Sequence, residues 1–444
     1  MKKILILIVT TFALSACKTD IEIAAPSSGN ADFSRYVALG SSFTAGVTDG
    51  ALFTSGQANS FPVILSASFA DAGGGTFKQP TVNSTIGINL DGNSKLKLFY
   101  ETLCTGGKDF FTRYEASTGD ASIFTDNVSS LGPFNNLGVP GTKSFHFNDQ
   151  FYGNTTLGNP FYARFAKIPG TSTLLSEAVS VNPTFFTLLI GQEDIYDYAL
   201  GGGSETNFDS ITTISYFNSN VDVIVNTLVT TGAKGAIANI PDPADIPYFT
   251  TIPYDGLVLT AAQATQLNAF FALDPNINFQ EGRNPYLLRD TTAVSGVRML
   301  KETEYVLLSA SYDSICNGYG SFDFVNNVVK GFRDRHVLDE AELNFIRGRI
   351  NSFNDKLRQI AIANNLAYVD LYGLFRQLNS GIIVSGVKFT NKYITGRTYS
   401  SDGFTPTAQG YAIITNFFIN AINATYNSTL RSVEVLKYPA LNMP

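Results

Sequence analysis

Four short apolar runs are spaced along the chain, and each is followed by a turn signal or a polar residue. They are Tyr36 to Leu39, Phe185 to Ile190, Ala236 to Ile240 and Leu366 to Leu371. The first run ends in Gly40-Ser41-Ser42, the second at Gly191 and the third at Pro241. Short apolar runs bounded in this way are typical of buried strands that feed tight turns.

Helical patterns lie between these predicted strands. One covers Ser215 to Val229, just before the third strand, and another covers about Ala408 to Ile422. In a third, apolar residues recur three and four positions apart: Leu343, Ile346, Ile350, Phe353, Leu357 and Ile360. That run is too short for several heptads, so it is predicted to pack on a sheet and not in a coiled coil. Strands that alternate with helices predict an α/β fold with a mostly parallel sheet.

Two long stretches, near residues 70–132 and 243–335, fit no simple alternation of strand and helix. Both are rich in Gly, Asn, Thr and aromatic residues. We interpret them as insertions into a single domain that covers residues 34–444. Because loops beyond the strand ends carry function in parallel sheets, these insertions are expected to shape the mouth of a site.

The first residues have the pattern of a bacterial lipoprotein signal peptide. Lys2 and Lys3 precede the apolar run Ile4 to Leu14, which is too short to span a membrane. Leu14-Ser15-Ala16-Cys17 resembles a lipobox, which predicts removal of residues 1–16 and acylation of the Cys17 thiol. An ordinary secretory leader with a cysteine after alanine is the alternative. Acyl chains would anchor the protein firmly, since each buried methylene contributes about 0.8 kcal/mol.

Residues 17–33 are predicted to form a flexible tether behind this anchor. The tether starts with a basic and then an acidic residue pattern, Lys18 to Glu22. This pattern is compatible with two locations of the protein at the outer membrane, one facing the periplasm and one exposed on the cell surface. The two remaining cysteines, Cys104 and Cys316, either pair in this oxidising compartment or stay as buried thiols. The net charge of -7 argues against nucleic acid as a partner.

The turn after the first strand is the first candidate for chemistry. A serine at a strand-to-helix turn is exposed above the sheet, with its N–H near a helix N-terminus. Ser42 is in that position, although a Gly-Ser-Ser turn on its own is usually only a cap. Three further motifs follow in order: Asn136 to Thr142, Gly191-Gln192-Glu193-Asp194 and Asp402-Gly403-Phe404-Thr405-Pro406.

Together the four motifs resemble the sequence blocks of SGNH (GDSL-like) ester hydrolases, including long lipoprotein members from bacterial outer membranes. The resemblance spans Tyr36 to about Asn423 and implies a three-layer α/β/α, flavodoxin-like fold with large loop insertions. It implies that Ser42 is at the nucleophile position and that Gly141 donates an N–H to the oxyanion. Asp402 would be at the position that orients the catalytic base.

Two positions depart from the family pattern. Glu193 replaces the Asn that donates to the oxyanion, and Thr405 replaces the His that acts as base. Losing the base costs on the order of 10⁶ in kcat, and losing an oxyanion donor costs roughly 10²–10³. A Thr hydroxyl cannot take a proton at neutral pH. An ionised Glu193 would repel the oxyanion, whereas a protonated Glu193 could donate if burial raised its pKa.

Three functions remain open. The favoured one is a catalytically impaired, lipid-anchored protein that binds a glycan, lipid or peptide, or serves as an accessory subunit to an outer-membrane β-barrel. The alternative is an active serine esterase or lipase that uses Ser42 with a non-standard base. A purely structural envelope protein is the third.

The histidines and the remaining acidic residues are not expected to take part in chemistry. His146 and His336 are the only histidines, and both are predicted to be loop or surface residues. Glu193, Asp194 and Asp402 could together bind a hard cation such as Ca²⁺. Because the family gives its Asp positions structural roles, neither a metal nor a cofactor is expected.

Overall fold

The structure is a computed structural model that describes residues 24–102, 108–203, 210–310 and 315–444. Its strands, in chain order, are β1 (Tyr36–Gly40), β2 (Leu96–Thr102), β3 (Lys108–Tyr114), β4 (Asn136–Gly138), β5 (Phe185–Leu189), β6 (Lys234–Ala238), β7 (Leu257–Leu259), β8 (Gly282–Asn284), β9 (Leu287–Arg289), β10 (Val297–Met299), β11 (Tyr305–Val306), β12 (Ser321–Asp323), β13 (Val328–Lys330), β14 (Val337–Leu338), β15 (Ala367–Val369), β16 (Ile382–Val384) and β17 (Val387–Phe389).

The described α-helices are α1 (Ser42–Ala45), α2 (Thr54–Ala58), α3 (Phe61–Asp71), α4 (Ser122–Thr125), α5 (Pro160–Ala163), α6 (Leu174–Ser180), α7 (Glu193–Leu200), α8 (Ile214–Thr230), α9 (Pro247–Thr250), α10 (Ala261–Phe270), α11 (Glu340–Ala363), α12 (Leu371–Leu378) and α13 (Ala408–Tyr426). Short 3₁₀ segments connect several of them. No described helix is both long enough and apolar enough to cross a membrane.

A five-stranded parallel sheet forms the centre of the molecule. Its strands lie in the order β15-β6-β5-β1-β4, and every neighbouring pair is parallel. Counted along the chain, the five strands have the 2-1-3-4-5 order of flavodoxin-like sheets. The direction of winding reverses between β1 and β5, so a crevice opens beyond the carboxyl ends of these two strands. Ligand sites of open α/β sheets lie at this kind of switch point.

Helices cover both faces of this sheet. On one face α3 packs against α13, where the rings of Phe61 and Phe418 stack with their centroids 4.8 Å apart. On the other face α8 packs against α11, where Phe217 and Phe353 stack at 3.7 Å. Alternate strand residues point to opposite faces, so each face buries its own apolar set. The predicted fold class, a three-layer α/β/α arrangement around a mostly parallel sheet, is confirmed.

The four predicted strands correspond to β1, β5, β6 and β15, with shifted ends. The fourth run stops early because the Asp370 side chain accepts the N–H of Gly373 and caps α12, so Leu371 is helical. The segment Asn136 to Gly138 was predicted only as a loop motif and is the edge strand β4. Its three residues are too few to show a strand pattern in the sequence.

The second insertion buries apolar side chains of its own. One cluster contains Leu267, Phe271, Phe279, Leu287 and Phe322. A second cluster contains Ile252, Tyr286, Val306 and Phe332. The first insertion contributes the antiparallel hairpin β2–β3. The domain boundaries given above stay predictions.

The lipobox lies outside the described residues, and so do Cys17, Cys104 and the tether as far as residue 23. Cys316 is disulfide-bonded.

Candidate functional site

A cavity of about 700 Å³ opens beyond the carboxyl ends of β1 and β5. Its lining includes every position that the four motifs single out: Ser42, Gly141, Glu193, Asp402 and Thr405. Apolar and aromatic side chains make up much of the remaining wall: Val47, Leu52, Ile88, Leu96, Phe161, Tyr196, Tyr248 and Phe404. A cavity of this size and composition fits a small molecule or one end of a larger one.

Ser42 is held above the sheet by a tight turn after β1. A Cβ on Gly40 would lie 2.0 Å from Thr44 Oγ1 and 2.6 Å from the Leu189 carbonyl oxygen, so only glycine fits there. Ser42 is the first residue of α1, a single turn that ends at Gly46 with φ 87°. The turn therefore presents both the Ser42 hydroxyl and its backbone N–H to the cavity.

Glu193 begins α7, directly after β5, and it contacts Ser42. Ser42 Oγ donates to Glu193 Oε1 at 2.5 Å, and the Ser42 backbone N–H donates to the same oxygen at 3.1 Å. In serine hydrolases the backbone N–H of the nucleophile is one of the donors that bind the oxyanion. Glu193 Oε1 therefore takes the place on Ser42 where the oxyanion of a bound ester would lie.

Glu193 is deeply buried, with 8% of its surface exposed. Burial raises the pKa of its carboxyl group, while the hydroxyl of Ser41 and the hydrogen bonds from Ser42 act in the opposite direction. Its neighbour one helical turn on, Asp197, forms an ion pair with Lys143 at 3.2 Å. The Glu193 carboxyl group thus lies in an enclosed and poorly solvated part of the cavity.

Asp402 has a different environment, although it lines the same cavity. Its Oδ1 accepts the N–H groups of Phe404 and Thr405, each at 2.8 Å, and the Ser400 hydroxyl at 3.0 Å. Its Oδ2 accepts the Gly50 N–H at 2.8 Å and the Thr405 hydroxyl at 2.5 Å. Burial raises the pKa of Asp402, and the hydrogen bonds from Thr405, Phe404 and Ser400 oppose this rise. Thr405 points its proton at Asp402 and has no means of removing the proton of Ser42.

Gly141 and Asp194 position the loop opposite Ser42. Gly141 has φ 78°, and a Cβ there would lie 2.6 Å from Leu90 Cδ1. Asp194 is buried and accepts the Ser144 N–H at 2.8 Å and the Ser144 hydroxyl at 2.6 Å. Asp194 therefore connects this loop to α7. Both of its carboxyl oxygens are bonded to Ser144, so it does not form a common acidic site with Glu193 and Asp402. Over the described ranges, no group of three or more His, Cys, Asp or Glu residues could hold a metal ion.

Neither histidine lines the Ser42 cavity. His146 lines a second cavity of about 750 Å³, and its ring stacks on Tyr152 with the centroids 4.0 Å apart. Its Nδ1 accepts the Lys143 N–H, and burial lowers the pKa of His146 to about 4. His336 Nδ1 lies 2.9 Å from the Ser309 hydroxyl. Both histidines are therefore placed away from the proton of Ser42.

Several lining residues come from the insertions and were not singled out from the sequence. Arg113 and Tyr114 belong to the hairpin β2–β3, whereas Tyr248 and Leu308 belong to the second insertion. This agrees with the expectation that the insertions shape the mouth of the site. The aromatic content of these stretches was the only signal, and it does not say which residues face the cavity.

No protein-family model and no curated protein matches this chain. Solved structures do match at low identity. LAE5, an alpha/beta hydrolase enzyme from the metagenome of Lake Arreo, Spain, is 11% identical with a TM-score of 0.38, covering 89% of this chain and 97% of that one. A putative GDSL-like lipase from Parabacteroides merdae is 10% identical with a TM-score of 0.32, covering 90% and 99%. Axe2, an acetylxylan esterase from Geobacillus stearothermophilus, is 9% identical with a TM-score of 0.30, covering 69% and 83%. Likeness at this level adds no argument about the activity of this chain.

Proposed function

We propose that this chain is a lipid-anchored SGNH-type envelope protein whose Ser42 cavity binds a ligand without hydrolysing it. One observation carries the proposal: Glu193 Oε1 accepts both the N–H and the hydroxyl of Ser42. An ester carbonyl that entered the site would meet Glu193 Oε1, an oxygen that already accepts both Ser42 donors, where it needs hydrogen-bond donors. The site is therefore blocked by an acidic group of the same chain.

Two further features support the loss of hydrolysis. The position of the base holds Thr405, whose hydroxyl donates to Asp402. No histidine is among the residues that line the described cavity. A serine without an adjacent base is a poor nucleophile, and loss of the base alone costs on the order of 10⁶ in kcat.

The open cavity favours a binding role over a purely structural one. A structural protein has no need to keep about 700 Å³ open above its sheet, and an occluded site would have supported that function. Apolar walls with a few polar groups at the base are typical of ligand sites. A glycan, lipid or peptide ligand therefore remains part of the proposal.

Anchoring at the outer membrane rests on the sequence around Cys17 alone. The association with an outer-membrane β-barrel protein is proposed only by analogy with accessory lipoproteins. We expect Cys17→Ala to move the protein from the membrane fraction to the soluble fraction and to abolish labelling with palmitate. Unchanged fractionation and labelling would contradict the anchor.

An active esterase is the second candidate, and one distance favours it. Ser42 Oγ lies 2.5 Å from Glu193 Oε1, which is within reach for a general base. A raised pKa would improve Glu193 in that role. The same oxygen also holds the Ser42 N–H, however, so the base would occupy the position of the oxyanion that it helps to form.

A serine-reactive fluorophosphonate separates the two candidates. The probe is incubated with wild type and with Ser42→Ala, and adducts are read by intact mass and peptide mapping, with an active serine esterase as positive control. We expect no adduct on Ser42. Rapid labelling of Ser42 that Ser42→Ala abolishes, together with turnover of a short acyl ester, would establish the esterase instead.

A further inference from the structure

We propose that the Ser42 cavity selects a ligand with a protonated amine on an apolar body, and that Glu193 binds the amine. The inference rests on the proposed function, because it assigns a ligand class to the same non-hydrolytic site. It follows from how the charged groups of the cavity are paired.

Four carboxyl groups line the cavity, and three of them are accounted for. Asp402 accepts five hydrogen bonds from surrounding groups. Asp197 is paired with Lys143. Asp91 is exposed to solvent at the mouth. Glu193 is the carboxyl group that is both buried and bonded to neutral donors from Ser42.

The one cation among the described lining residues is engaged elsewhere. The Arg113 guanidinium lies over the Phe111 ring, 4.5 Å from its centroid, and 5.7 Å from that of Phe99. It also forms an ion pair with Glu101 at 3.4 Å, and about half of its side chain is exposed. Arg113 is therefore held at the mouth by its own hairpin, and the cavity supplies Glu193 with no counter-charge.

Glu193 also retains an oxygen for a ligand. Both hydrogen bonds from Ser42 end on Oε1, and neither uses Oε2. The buried Ser41 hydroxyl also lowers the pKa of this carboxyl group, but it is a neutral neighbour and leaves the charge unpaired. Because an opposite charge nearby favours the ionised form, a protonated amine that binds here lowers the raised pKa of the carboxyl group. Its charged N–H donor then forms a short bond, roughly twice as strong as a bond between neutral groups. An anionic ligand would instead be repelled, so fatty acids and phosphorylated molecules fit this cavity poorly.

The walls suit the rest of such a ligand. Tyr196 and Phe404 meet edge to face, with centroids 5.2 Å apart, and both line the cavity. Aromatic ring faces attract a cation, and the attraction increases when the cation is desolvated. The aliphatic wall formed by Val47, Leu52 and Leu96 can cover an alkyl or aryl body.

Three probes of equal chain length test the selectivity: n-octylamine, n-octanol and n-octanoate. Their affinities for the full-length protein are measured by calorimetry near neutral pH, where an alkylamine is protonated, since its pKa is close to the roughly 10.4 of lysine. We expect the amine to bind about ten-fold or more tightly than the alcohol, and the carboxylate to bind most weakly.

Glu193→Gln is the matched variant, because its amide oxygen can still accept both bonds from Ser42. We expect the affinity for octylamine to fall to that for octanol, while the affinity for octanol stays unchanged. Asp71→Asn removes one exposed charge at the end of α3, outside the cavity, and should keep the amine preference. A thermal unfolding curve confirms that each variant is folded.

Octanoate binding as tightly as octylamine, an amine preference that survives Glu193→Gln, or binding by none of the probes would overturn the inference. The probes contain no ester, so hydrolysis cannot affect these measurements. Labelling of Ser42 by the fluorophosphonate would overturn the proposed function separately and leave the amine selectivity standing.

Discussion

Asp402 and Glu193 are two carboxyl groups of the same cavity with opposite surroundings. Asp402 accepts five hydrogen bonds, three of them from backbone N–H groups of Gly50, Phe404 and Thr405. Glu193 receives two within ordinary hydrogen-bond distance, both from Ser42 and both on one oxygen, and the Ser41 hydroxyl is a further neutral neighbour. Burial raises the pKa of each group, so burial alone does not separate them.

The difference shows that two buried carboxyl groups in one cavity can have different roles. Asp402 is part of the loop structure, and Thr405 donates to it through both its N–H and its hydroxyl. Glu193 still faces the cavity and retains an oxygen for a ligand. A fully bonded carboxylate stabilises the fold, whereas a partly bonded one at a cavity wall is available for recognition.

Removing the Asp402 carboxylate should have the largest effect. Asp402→Ala leaves three backbone N–H groups and two hydroxyls without their acceptor. Each unsatisfied buried donor costs about 1–3 kcal/mol, and partial access to water lowers the sum. We expect a loss of roughly 3–5 kcal/mol in the free energy of unfolding, measured by urea denaturation.

Glu434→Ala provides the control for that measurement, because Glu434 is exposed and bonded only at the surface. Its free energy of unfolding should lie within about 0.5 kcal/mol of the wild-type value. If Asp402→Ala were equally mild, the contrast between a structural and a ligand-facing carboxylate would be wrong.

Under the proposed function, introducing an oxyanion donor and a base beside Ser42 should reverse the second half of the contrast. In Glu193→Asn with Thr405→His, Ser42 regains a neutral donor at the oxyanion position and a base that Asp402 can orient. We expect the fluorophosphonate to label Ser42 at a rate about 100-fold or more above any background seen with wild type. Each single variant should give much less, because the groups of a catalytic site act as a unit. Labelling at the wild-type rate in a folded double variant would mean that the scaffold itself is not competent.

Gly141→Ala should have an intermediate effect that reports on the wall opposite Ser42. The residue has φ 78°, and its new Cβ would lie 2.6 Å from Leu90 Cδ1. We expect a loss of about 1–2 kcal/mol from the left-handed conformation, with a further cost if Leu90 cannot move. Adding Leu90→Ala should recover the steric part only, and thermal unfolding of both variants measures it. An unchanged stability for Gly141→Ala would contradict this loop geometry.

The smallest effect should be the pH dependence that Glu193 adds to stability. Its pKa is raised above the ordinary value of 4.5 in the folded protein. The folded state therefore favours the protonated form of Glu193. The stability that this preference contributes is complete below pH 4.5 and is lost as the pH rises through the folded-state pKa. Glu193→Gln cannot ionise, so its stability relative to wild type should increase with pH.

Urea denaturation at about pH 4 and about pH 8 measures this difference. Asp71→Asn, at an exposed position, should show little change relative to wild type between the two conditions. A stability advantage of Glu193→Gln that shrinks as the pH rises would show that the Ser42 bonds outweigh burial at Glu193.

Much of the fold could be predicted because its signals are local. The runs at Tyr36 and Phe185 are almost entirely apolar, with Thr187 as the polar exception, and both are fully buried central strands. The edge strand at Asn136 escaped prediction because three residues carry no periodicity. The strands β7 to β13 of the second insertion escaped for the same reason, since each has only two or three residues. The hairpin β2–β3 has strands of seven residues and was missed all the same.

The residues of the site could be predicted from their order along the chain, but their bonding could not. The sequence showed that Glu193 has no proton to donate when ionised. That Oε1 would accept both donors of Ser42 depends on the packing of β1 against β5. Likewise, the sequence does not show which groups bond Asp402, and the structure supplies Thr405, Ser400 and Gly50.

Ester turnover measured side by side on wild type and Ser42→Ala tests the central claim most directly. With p-nitrophenyl acetate at matched protein concentration, the claim that Glu193 blocks the Ser42 site predicts equal rates, because any background arises from other surface groups. A wild-type rate about 100-fold or more above that of Ser42→Ala would contradict it, since such a ratio requires a working nucleophile and oxyanion site.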